Sequence, residues 1–195
     1  MKNAGLPTSL TLALLTAGLA DAASADLLAG ISADGVFRQV QPLAAEELQK
    51  GERGYELLPG QFGGQWSVVL GGPQTSASTV HFTYMGGRAA LEDGGPTIGK
   101  LLGRMVGRAA TSCFNVGAER LPELRGWVES GVKGSAAGNL SAERRFGPLR
   151  AQLLVHQSGG DAALPGGLAE VDVLLSRSGT PGAAGWASSC QKGQG

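Results

Sequence analysis

Two stretches in the first half of the chain alternate apolar and polar positions with period two. In residues 65–70, Trp66, Val68 and Leu70 alternate with Gln65 and Ser67, and in 79–85, Val80, Phe82 and Tyr84 alternate with Thr79, His81 and Thr83. A period of two predicts half-buried strands. Between them, Gly71-Gly72-Pro73-Gln74-Thr75-Ser76-Ala77-Ser78 is too polar and too rich in turn residues to continue either, so a long hairpin loop is expected.

After a break at Asp93-Gly94-Gly95-Pro96 the period changes to 3.6. Ile98, Leu101, Leu102, Met105, Val106 and Ala109 fall on one face of a predicted helix over 97–110. Gly99, Gly103 and Gly107 form a second stripe, and Lys100, Arg104 and Arg108 a third. Three interior glycines cost about 1 kcal/mol each relative to alanine, so the close approach of another backbone is expected to offset them. The basic stripe reads as a solvated helix face, with an anionic partner surface as the alternative.

A second helix is expected over 119–132, with Pro122 in its first turn and Leu121, Leu124, Trp127 and Val128 on one side. Two further strands follow, where Leu149, Ala151, Leu153 and Val155, then Val171, Val173 and Leu175, alternate with polar residues. Before all of these, Val36 to Val40 and Tyr55 to Leu58 read as short strands, and Leu43 to Leu48 as one or two helical turns. Strands, then helices, then strands predict an α+β domain: a mainly antiparallel sheet with two helices packed on one face.

The first 25 residues have the layout of a secretory leader: Lys2, an apolar run from about Leu6 to Leu19, and Ala23-Ser24-Ala25 before Asp26. Cleavage near Ala25 is expected, with an uncleaved anchor as the alternative. Residues 26–195 would then form a single domain with a Gly-rich tail from about 178, secreted or periplasmic and with no membrane span after cleavage. Cys113 and Cys190 would pair as a disulfide fastening that tail, the alternative being free or intermolecular thiols. Lys and Arg total 16 and Asp and Glu total 16, a balance that argues against a nucleic-acid footprint.

Candidate chemistry is sparse. Gly94 to Lys100 satisfies the Gly-x-x-x-x-Gly-Lys part of a phosphate-binding loop, but Leu101 stands where Ser or Thr must hold magnesium, so the stretch reads as a helix start. His81 and His156 lie on the polar sides of their strands, where with Asp172 or Glu170 they could form a metal or acid-base cluster; a solvated sheet face is the plainer reading. No Gly-x-Ser-x-Gly elbow is present. Trp66, Trp127 and Trp186 could stack on sugars or peptides, although the first two fall on core-facing positions. Asn139-Leu140-Ser141 matches a glycosylation sequon.

No catalytic, cofactor-binding or metal-binding residue is therefore assigned, and no cofactor is expected. The expectation is an exported, non-catalytic binding or envelope-associated protein with a protein, peptide or glycan ligand. The alternative is an exported hydrolase or metal-dependent enzyme using His81, His156 and a nearby carboxylate.

Overall fold

The computed structural model describes residues 22–59, 63–72, 77–160, 166–180, 186 and 190. The proposed leader falls outside them up to residue 21, as do residues 73–76 and 161–165 of the two long loops and most of the tail. Seven strands form one antiparallel sheet: β1 (Phe37–Pro42), β2 (Glu52–Pro59), β3 (Gln65–Gly71), β4 (Thr79–Gly87), β5 (Leu140–Phe146), β6 (Leu149–Gln157) and β7 (Leu168–Arg177). Their order is β1-β2-β3-β4-β7-β6-β5, so two meanders meet where β4 pairs with β7. Three helices, α1 (Ala22–Ala33), α2 (Arg88–Phe114) and α3 (Leu121–Gly134), join the α+β architecture.

The core lies between the helices and one face of the sheet. Trp66, Val68 and Leu70 on β3, Val80, Phe82 and Tyr84 on β4, and Val171, Val173 and Leu175 on β7 are all buried, the alternation read from the sequence. Trp66 packs between Phe37, with ring centroids 5.5 Å apart, and Tyr84, at 4.7 Å. Burial raises the hydroxyl pKa of Tyr84. At the distal end of the sheet Trp127 of α3 is half-buried, its ring meeting that of Phe146 edge-on at 5.8 Å.

The principal departure from the sequence pattern is the start of α2, which begins at Arg88 and passes through Gly94-Gly95-Pro96. The burial stripe explains it. Leu91 and Gly95 are buried on the face that continues into Ile98 and Leu102, so packing extends the helix about two and a half turns upstream. Pro96 is exposed, and the Glu92 carbonyl that loses its hydrogen bond lies on the same exposed side. The helix ends at Asn115, whose left-handed backbone (φ 50°) returns its N–H to the carbonyls of Ala110 and Thr111.

The expected close approach is present, and α3 supplies it. A Cβ on Gly99 would stand 3.1 Å from the Cα of Glu129 and 3.2 Å from its carbonyl oxygen; on Gly103 it would stand 3.3 Å from the Arg125 carbonyl oxygen. Gly95 extends the stripe by one turn, facing the Val132 carbonyl. The conformational cost of the glycines is offset by a close helix contact, in which a Cβ at Gly99 or Gly103 would press on the backbone of α3.

Two elements were not legible. The segment that becomes α1 reads as leader and small residues, yet it contributes the buried Leu27 and Ile31. β5 is an edge strand carrying Glu143, Arg144 and Arg145, all exposed, and this charge conceals its alternation while discouraging edge-to-edge pairing.

Candidate functional site: the polar sheet face and the helix clefts

The face of the sheet away from the helices carries the polar residues. Across it the pairing aligns Glu56, Ser67, Thr83, Asp172 and Leu154 in one row, and Val69, His81, Leu174 and Gln152 in the next. His81 reaches diagonally to Asp172, with Nε2 2.8 Å from Oδ1, and Thr83 Oγ1 donates to the same oxygen at 2.8 Å. The imidazole is 40 % exposed and the carboxylate 19 %.

His156 does not join them. It pairs with Glu170, four residues along β7 from the Leu174 that faces His81. That offset is about 13 Å along the strands, with two strand spacings of about 4.8 Å across them, too far for ligand bonds of about 2 Å to one metal. Among the described residues no group of three or more His, Cys, Asp and Glu is placed to hold a metal ion. The cluster of His81, His156 and a carboxylate is thus reduced to His81 and Asp172.

The geometry of that pair also differs from nucleophile activation. A hydroxyl nucleophile needs one imidazole nitrogen while the carboxylate holds the other. Here Asp172 and Thr83 both lie on the Nε2 side, and the Thr83 hydroxyl donates its hydrogen bond to the carboxylate. Beside them is a cleft of about 360 Å³ lined in part by Leu43, Glu47, Glu56, Ser67 and Thr83. Leu43 and Leu48, flanking the 3-10 turn Ala45–Glu47, fold over Gly54 at its margin. Further across, Glu143 accepts two hydrogen bonds from Arg150 and one from Gln152. These, the Arg150 bonds first, hold its carboxyl down at about 2.

Gly94 to Lys100 lies wholly within α2. Its backbone N–H groups are committed to the helix, and no loop remains to cradle a phosphate. In the sequon, Asn139 Oδ1 accepts the N–H of Gln157 at 2.7 Å, so that side chain is already engaged.

A second cleft, of about 470 Å³, lies on the helical side where α2 meets α3 and the turn after α1. It is lined by Asp34, Arg104, Gly107, Arg108, Thr111, Ser112 and Arg125. Arg108 donates to Asp34 at 2.6 Å. The sequence showed the Arg104 and Arg108 stripe but not Arg125, whose convergence depends on how α3 docks.

At the C-terminal end of α2, Cys113 and Cys190 stand at disulfide-bonding distance, with Cα atoms 4.2 Å apart, and both are buried. Trp186 is buried beside them against Phe114, ring centroids 6.4 Å apart, so Trp66 and Trp186 present no open stacking face and Trp127 is half-buried.

The fold and these surfaces define a two-layer α+β domain with a polar open sheet face. No protein-family model, curated protein or solved structure matches the chain. No described helix is long and apolar enough to cross a membrane.

Proposed function

We propose that this chain is an exported binding protein of an oxidising compartment, secreted or periplasmic. The observation that carries the reading is the Cys113–Cys190 pair, which ties the tail to the end of α2. Disulfides persist outside the reducing cytosol, and this pair occurs with a leader-like first 25 residues. Cleavage after Ala25 would retain Leu27 and Ile31, the residues by which α1 enters the core.

Binding is favoured over catalysis because the polar groups of the sheet face bond to one another: Thr83 and His81 to Asp172, and Arg150 and Gln152 to Glu143. The ligand class is a protein, peptide or glycan. Mass spectrometry of protein recovered from the envelope or medium tests the proposal. The expected product starts near Asp26 and has no free thiol; a cytosolic chain starting at Met1 with two free thiols would overturn it.

A further inference from the structure

Three arginines from two helices converge on the 470 Å³ cleft, and they meet a single carboxylate there. Arg108 is paired with Asp34. Arg104 and Arg125 form no hydrogen bond or ion pair with any described residue, and the Nε of Arg125 is buried without a partner. Glu129, one turn along α3 from Arg125, lays its side chain over Gly103 and pairs with neither. The cleft therefore holds more positive than negative charge.

Glycines make room for two of these side chains. Arg125 lies across Gly107, where a Cβ would collide with its guanidinium, and Arg108 lies across Gly30, where a Cβ would stand 2.8 Å from Cδ. The guanidinium groups are thus seated on bare helix backbone, which lowers the entropy a ligand must remove to engage them. Ser112 lines the same wall, while the Thr111 hydroxyl is committed to the Gly107 carbonyl at 3.1 Å.

We propose that this cleft binds a phosphate or sulfate ester, with Arg104 and Arg125 as the principal contacts and Arg108 beside them. Planar guanidinium forks match tetrahedral oxyanions bidentately, and forks arriving from two helices suit a group with oxygens on several sides better than one carboxylate. The volume is that of a small-molecule site, larger than the anion alone, so the anion is expected to be a substituent on a polar body such as a sugar or a lipid headgroup. This goes beyond the binding role proposed above: a phosphorylated or sulfated sugar falls within its protein, peptide or glycan class, and a lipid headgroup lies outside it. It is tested on the purified protein, so a failed localisation experiment leaves it standing, and its own failure leaves localisation untouched.

Isothermal titration of the full chain with inorganic phosphate, with sulfate, and with glucose 6-phosphate, each against chloride at matched ionic strength, is the experiment. A parallel arm measures sedimentation with phosphatidylcholine vesicles containing phosphatidic acid. Saturable binding is expected, weakened at least tenfold by R104A and by R125A and unchanged by R145A, which removes the same charge from the distant strand β5. R125K, which keeps the positive charge but loses the fork, should bind more weakly at an unchanged melting temperature. Preference for glucose 6-phosphate or for the vesicles assigns the source of the ester. Absence of saturable binding in every arm, or equal weakening by R145A, overturns the proposal.

Discussion

Arg177 and Trp186 form a closed contact at the end of the longest helix: the guanidinium carbon of Arg177 stands 4.7 Å from the centre of the Trp186 ring. The same side chain donates to the Phe114 carbonyl at 2.7 Å, so one arginine both holds the tail and satisfies a carbonyl at the end of α2. Trp186 is thereby held at the end of α2, where Cys113 and Cys190 also stand at disulfide-bonding distance.

Reducing the Cys113–Cys190 link should therefore lower the melting temperature. The link closes a loop spanning a sequence separation of 77 residues, for which chain-entropy reasoning gives about 4 kcal/mol. Limited proteolysis after reduction should cut beyond Arg177 while the sheet and α2 stay protected. Unchanged melting with and without reductant would show that the link contributes nothing.

Gly99→Ala should destabilise by roughly 1–3 kcal/mol, since its methyl would meet the backbone of Glu129. Gly126→Ala, on the open side of α3 with nothing within 4 Å, should instead stabilise by about 0.5–1 kcal/mol. Urea denaturation of the two variants reads opposite signs if α2 and α3 pack as described.

Pro96→Ala distinguishes a helix that begins near Thr97 from one that passes through Pro96. In the interior, alanine restores a hydrogen bond and removes a ring clash, so stability should rise by roughly 1–3 kcal/mol. Were Pro96 a first-turn residue, the change would be neutral or unfavourable.

Asp172→Ala removes the shared acceptor of His81 and Thr83 and should cost roughly 1–2 kcal/mol in thermal or chemical unfolding. His81→Ala should cost less, because the ring is partly exposed and the Thr83 bond survives. Equal losses in both variants would contradict this division.

The Glu143 carboxyl titrates at about 2, below its ordinary value of 4.5. A depressed carboxylate favours the folded state above its unfolded pKa, and that contribution disappears as pH falls from about 4.5 through about 2. Both partners are well exposed, so the effect on global stability is small. Carboxyl-carbon NMR titration should find the low value in the native protein and a value shifted back up in Arg150→Ala.

The central and distal strands could be read from the sequence because their two faces see different solvents, which is what a period of two records. β5 escaped because an edge strand with three successive charges shows no such contrast. The α2 start was misread because Gly-Gly-Pro is a strong local stop, and the contacts that override it come from Val132 and its neighbours on α3. The pairing of His81 with Asp172 follows from β4 lying beside β7, whereas the separation of His156 follows from the register of β6, which alternation alone does not specify. The glycine stripe implied the close approach of another backbone before that backbone could be identified as α3.

The junction of β4 and β7 also governs when the molecule can be completed. Ribosomal synthesis yields β1 to β4 first, and the free edge of β4 must then wait for the helical hairpin and two more strands before β7 arrives to cover it. A nascent chain thus stays without its middle seam until β7, Leu168–Arg177, has been made. Were the chain exported as proposed above, that delay would keep it in a state that a translocation pore can thread.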